Sequence, residues 1–103
     1  PFFHAMAATA LEVPVEMYFS AASVRLLVPG VAQGLRASTR VDRTIAQTMA
    51  EALAAGVRFY VCSDALQAQG LAATPLIPGV AGHGGAVQFM ARTLDPRWAA
   101  LVF

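Results

Sequence analysis

VRFYVCSDALQAQG, residues 57–70, changes its pattern halfway along. Val57 to Val61 is a short run of β-branched and aromatic residues, the composition of a strand. Ser63-Asp64 then has the chemistry of a helix N-cap for a segment from Ala65 to Gln69, and Gly70 is a natural stop. Cys62 falls at the joint between the two. A strand that runs straight into a helix is the repeating step of an α/β chain, because parallel strands must be joined by crossovers.

The segment upstream of this stretch follows the same grammar. Val41, Ile45, Met49, Ala52 and Leu53 form one apolar stripe of a helix, while Arg40, Arg43, Gln47 and Glu51 lie off it. Thr39-x-x-Asp42 resembles a capping box at its start, and Gly56 is placed to end it. Residues 30–38 read as a loop. Val13 to Phe19 reads as a buried strand with Pro14 near its start, where a missing N–H does least harm. Ser20 or Ser23 is positioned to cap a short helix that ends before Pro29-Gly30. Phe2, Phe3, Met6, Ala7, Ala10 and Leu11 mark one face of a further helix. Downstream, Thr74 to Val80 reads as a loop with at most a short strand at Leu76-Ile77. Gly82 to Gly85 reads as a turn opening a helix from Ala86 to Leu94, and Ala99 to Phe103 reads as a terminal strand.

Strands alternating with helices predict a parallel sheet covered by helices on both faces. Right-handed crossovers bring the carboxyl ends of the strands to one edge, where binding sites of such sheets lie. Ser20 and Cys62 both follow strands and belong to that edge. The 103 residues fit a single domain, 1–103. Chains of this class open with a strand before the first helix; that strand is missing here, so the expectation is a domain lacking its N-terminal strand.

Hydrophobic residues make up 57% and charged residues 13% of the chain. Averages are about 45–50% and about 25%, so intrinsic disorder is excluded. A net charge of +1 gives no basic footprint, and nucleic acid is not an expected partner. The uncharged run between Asp64 and Arg92 is broken by Pro75, Pro78 and several glycines, so no membrane span is expected. One Cys and two His are too few for a Cys/His zinc site, and neither a metal nor another cofactor is expected. The surplus of apolar residues points to an interface between subunits.

Cys62 is the first candidate for chemistry. The amides at a helix N-terminus favour a thiolate, the reactive form, while the nearby Asp64 carboxylate works against it. His83, in the Gly-rich segment, is placed to act as a base or as a hydrogen-bond donor to the sulfur. Gly82 to Gly85 has amides for an anion but no P-loop lysine, and it lacks the spaced glycines of a dinucleotide fingerprint. Arg36, Arg40 and Arg43 fall near one helical face. Ser20, Ser23 and Ser63 show no His/Asp partner set in the sequence.

FYVCSDALQAQGL, LIPGVAGHGGAVQFM and the closing ALVF together resemble the DsrE/DsrF-like sulfur-relay family. The spacing from Cys62 to Gly70 and the Ile-Pro-Gly-Val turn are the most specific parts of the likeness, which spans nearly the whole chain. The resemblance implies a small three-layer α/β/α domain with a parallel sheet. It implies a sulfurtransferase or sulfur carrier, with sulfane sulfur held on Cys62 as a persulfide or thiosulfonate. Ser20, Ser63, Asp64 and His83 are the candidate supporting residues. It further implies a cytoplasmic homo-oligomer, a trimer or hexamer, that exchanges sulfur with donor and acceptor proteins. Some members have a second Cys three residues after the first; Ala65 stands there, so a two-Cys relay within this chain is excluded. The alternative class is an assembly subunit of the same fold with a structural cysteine.

Overall fold

The computed structural model describes residues 1–36 and 42–100. In chain order these form α1 (Phe2–Ala10), β1 (Glu16–Phe19), 3-10 helices at Ala21–Leu27 and Ala32–Gly34, α2 (Ile45–Ala54), β2 (Arg58–Val61), α3 (Ser63–Ala68), β3 (Val80–His83) and α4 (Ala86–Thr93). The three strands make an open parallel sheet in the order β1-β2-β3. β1 and β2 run in register from Glu16 opposite Arg58 to Phe19 opposite Val61.

Alternation along the strands sends Phe19, Phe59 and Val61 to one face and Tyr18 and Tyr60 to the other. On the first face the Phe2 ring of α1 lies 6.2 Å from Phe19 and 6.0 Å from Phe59, and those two rings are 5.0 Å apart. Met49 and Ala52 of α2 join them in the buried core. On the second face Tyr18 stacks on Tyr60 at 5.3 Å, and Phe89 of α4 meets Tyr18 edge-on at 5.5 Å. Helices thus cover both faces, and the domain is the three-layer α/β/α arrangement that the alternation of elements predicts. Among the described residues, no helix is long and apolar enough to cross a membrane.

Local details differ from the sequence reading for identifiable reasons. The capping box of α2 is Thr44-x-x-Gln47, not Thr39-x-x-Asp42. The Thr44 side chain accepts from the Gln47 amide at 3.2 Å, and the Gln47 side chain accepts from the Thr44 amide at 2.8 Å. Thr39, Arg40 and Val41 lie outside the described residues. Gly56, at φ +98°, follows the helix as its left-handed terminator. β1 is shorter than Val13–Phe19, because pairing begins only where the Arg58 amide donates to the Val15 carbonyl at 3.0 Å.

The third strand is Val80–His83, not Leu76-Ile77. Val-Ala-Gly-His has little strand propensity, and its glycine reads as a turn; pairing with β2 overrides that preference. The register slips between Phe59 and Tyr60 to accommodate the segment. Ile77 instead donates its amide to the Leu27 carbonyl at 2.7 Å, tying the preceding loop to the first 3-10 helix. Ala99 and Ala100 are not in a strand, and the rest of the expected terminal strand, 101–103, lies outside the described residues. The aromatic residues also divide, with Phe2, Phe19 and Phe59 buried and Phe3 exposed.

Phe59 has 0% exposure and sits at the centre of the phenylalanine cluster. Removing its ring leaves a cavity bounded by sheet and helices. Phe59→Ala is expected to cost about 3–5 kcal/mol of stability. Urea unfolding followed by circular dichroism measures this.

Candidate functional site

The strands end together. Phe19, Val61 and His83 are register partners across the sheet, so Ser20, Cys62 and His83 come to one edge. Backbone pairing continues past the strand ends. The Cys62 amide donates to the Phe19 carbonyl at 2.9 Å, and the Gly84 amide donates to the Val61 carbonyl at 3.0 Å. These bonds pin the backbone on both sides of the cysteine.

Cys62 is a free, half-buried thiol. It packs against the hydrophobic core. Its extended backbone, at φ −78° and ψ 119°, makes it the N-cap residue of α3, and its carbonyl accepts from the Leu66 amide at 3.1 Å. The helix therefore starts earlier than the Ser63-Asp64 cap expected from the sequence. Ser63 is its first residue, and Asp64 lies exposed in its first turn.

Ser63 and His83 meet at this edge. Ser63 Oγ lies 2.8 Å from His83 Nδ1. The two residues are twenty positions apart, and no sequence motif links them; the contact exists because β3 lies beside β2, whose end runs into α3. Among the described residues no carboxylate is hydrogen-bonded to His83, so the pair is not a Ser-His-Asp triad. Gly82 and His83 belong to β3, so the Gly-rich segment is not the free amide loop that an anion cradle would need.

Ser20 is exposed on the first strand's end. Its backbone is held by Ser23, whose Oγ accepts from the Ser20 amide at 3.0 Å and donates to the Ser20 carbonyl at 2.6 Å. Ala21 follows at φ +50°, a left-handed conformation that costs a non-glycine residue roughly 1–2 kcal/mol. Arg43 pairs with Glu51 of α2, the backbone of Arg36 forms an antiparallel bridge with Thr44, and Arg40 lies outside the described residues.

On the Tyr18 face, a polar network missed by the sequence reading locks α4 to the sheet. Glu16 accepts from Arg92 Nε at 3.0 Å and from its NH2 at 3.3 Å. Tyr18 donates to Glu16 at 3.0 Å and accepts from Gln88 at 2.8 Å. Burial pushes the Tyr18 phenol above its ordinary pKa; the Glu16 bond adds to the shift and the Gln88 bond opposes it. Arg92 also lies 4.4 Å over the Trp98 ring, a cation–π contact. Beyond α4, Asp95 accepts from Arg97, which holds its carboxyl down to about 2.

A cleft of about 310 Å³ opens between the 3-10 helices and α2, bounded by Leu26, Met49, Leu53 and Ile77. It is apolar and has no titratable lining residue, so it offers packing surface and no chemistry. Among the described residues no three His, Cys, Asp or Glu side chains gather as a metal site.

A parallel α/β sheet with a thiol at the carboxyl end of its central strand defines the class. The chain belongs to the DsrE/DsrF-like family, whose model matches residues 1–100. Membership points to a sulfur-relay role at the level of the family. No curated protein and no solved structure matches the chain significantly.

Gly84 fixes how closely the turn after His83 approaches the sheet. A Cβ there would lie 2.9 Å from Tyr18 Cε2 and 3.0 Å from Tyr60 Cβ. Gly84→Ala is expected to destabilise the fold by about 1–3 kcal/mol through overpacking. A lowered midpoint of thermal unfolding, with a disturbed near-ultraviolet tyrosine signal, is the measurable result.

Proposed function

We propose that this chain is a sulfur-relay protein that carries sulfane sulfur as a persulfide on Cys62. The single observation that supports this most is the position of that thiol. It is the half-exposed residue at the end of the central strand, with its backbone held from both neighbouring strands. In the proposed reaction the Cys62 thiolate attacks the outer sulfur of a donor persulfide R–S–SH. A new S–S bond forms, the donor S–S bond breaks, and its electron pair leaves on R–S⁻. An acceptor thiolate then attacks the outer sulfur of Cys62–S–SH and regenerates the Cys62 thiolate. Each half-reaction is a sulfur exchange with no net redox change.

Donor and acceptor are proteins or small thiols that reach the open edge of the sheet. A persulfide relay of this kind works where thiols stay reduced, which makes the cytoplasm the proposed location. A second reading rests on the packing of Cys62 against the core. On that reading the cysteine is structural, and the chain is a partner-binding assembly subunit of the same fold.

Incubation with a low-molecular-weight persulfide separates the two. Mass spectrometry is expected to find one added sulfur on the wild-type chain, mapped to Cys62. Cys62→Ser, nearly isosteric, is expected to abolish loading and to leave the circular dichroism spectrum unchanged. A wild-type mass that stays constant under conditions that load another thiol carrier selects the structural cysteine.

Assembly is part of the proposal. Val87, Met90 and Leu94 of α4 and its end follow one helical stripe and are 86%, 46% and 76% exposed. Arg92, the one charged side chain of α4, is tied to Glu16. A specific interface buries ~800 Å² per subunit, and an uncharged apolar stripe is suited to its centre. A homo-oligomer, trimer or hexamer, is the expected state in analytical ultracentrifugation at micromolar concentration. Leu94→Glu is expected to shift it toward monomer; a wild-type chain that sediments only as monomer defeats this part of the proposal.

A further inference from the structure

The Ser63–His83 contact extends the sulfur-relay reading of Cys62. Resting on that reading, we propose that Ser63 is a positioning residue that fixes the tautomer of His83, so that His83 presents an Nε2–H donor to the sulfur group exchanged at Cys62.

Three observations carry this. The first is the geometry of the contact: Ser63 Oγ and His83 Nδ1 are 2.8 Å apart, a full hydrogen bond. The second is the bonding of its two members. Among the described residues, the Ser63 hydroxyl has Nδ1 as its one hydrogen-bond partner, and the imidazole has Ser63. In the proposed arrangement the hydroxyl donates to Nδ1, its one protein partner, and a neutral ring that accepts there carries its own proton on Nε2. The third is placement. His83 is the register partner of Val61, the residue before Cys62, and Ser63 is the residue after it. The hydrogen bond thus brackets the cysteine from strand and helix.

The chemistry of exchange calls for such a donor. When the Cys62 thiolate attacks the outer sulfur of R–S–SH, the departing R–S⁻ gains a full negative charge. Asp64, exposed in the first turn of α3, adds a further negative charge at the same edge. Nε2–H donates to the departing thiolate as its charge develops, and the proton stays on the ring. A ring fixed in the other tautomer would turn a lone pair toward the same sulfur and repel it. The tautomer decides whether His83 helps or hinders.

Two measurements test the inference on the intact chain. Long-range ¹H–¹⁵N correlation spectra of the imidazoles read the tautomer directly. The wild-type chain is expected to show His83 with its proton on Nε2, and Ser63→Ala to show a mixture of tautomers. The second measurement is the rate at which glutathione persulfide loads Cys62, followed by mass spectrometry. Losing a hydrogen bond to a charged group lowers the rate about tenfold or more, the loss expected for His83→Gln. Ser63→Ala is expected to fall between that variant and wild type, and Ser63→Thr, which keeps the hydroxyl, to restore the rate. A merely structural role would not restore rate and tautomer together. A wild-type His83 with its proton on Nδ1, or a His83→Gln chain that loads as fast as wild type, overturns the inference and leaves the sulfur-relay reading standing. A wild-type chain that takes up no sulfur overturns both.

Discussion

The hydrogen-bonded position of β2 between β1 and β3 is the constraint on which the rest depends. A central parallel strand has both backbone edges satisfied by neighbours, and its alternate side chains commit the two faces of the sheet. Phe59 and Val61, both at 0% exposure, anchor one face, while Tyr60 stacks on Tyr18 on the other. Without β2 the phenylalanines of α1 and β1 would have no common floor, and α4 would have no aromatic platform.

The same pairing builds the site. The bonds from the Cys62 amide to Phe19 and from the Gly84 amide to Val61 prolong the sheet by one step at its carboxyl end. They hold the backbone of Cys62, which is half-buried. α3 begins at that residue because the strand stops there, and its first residue is then within reach of the histidine that ends β3. A strand end fixes the backbone of the residue that follows it, and here that residue is the half-buried Cys62.

The two helical layers do different work. The α1–α2 side is an apolar core whose contribution comes from burial. The α4 side is held by directed contacts: the paired Glu16 and Arg92, the Tyr18–Gln88 bond, and Arg92 over Trp98. Glu16 has a side chain only 5% exposed, and its charge is met by two hydrogen bonds from Arg92 and one from Tyr18. Such contacts orient a short helix without burying much of it, and Val87 and Met90 of α4 stay exposed.

Much of this was legible in the chain alone. Val57 to Val61 followed by Cys62 and a short helix is a local pattern, and local patterns survive folding. The stripe of Ile45, Met49, Ala52 and Leu53 marked α2, and the alternation of elements marked the parallel class. The family likeness rested on Cys62, Gly70 and the Ile-Pro-Gly-Val turn, which are also local. What the tertiary structure alone decided were features that depend on distant partners. Val80–His83 is a strand because β2 offers it hydrogen bonds, against the turn preference of Gly82. Cys62, not Asp64, caps α3 because the end of β2 sets where that helix begins. Glu16 meets Arg92, and Ser63 meets His83, across separations that no spacing rule covers, since each contact is made by the order in which strands pair and not by the order in which residues follow one another.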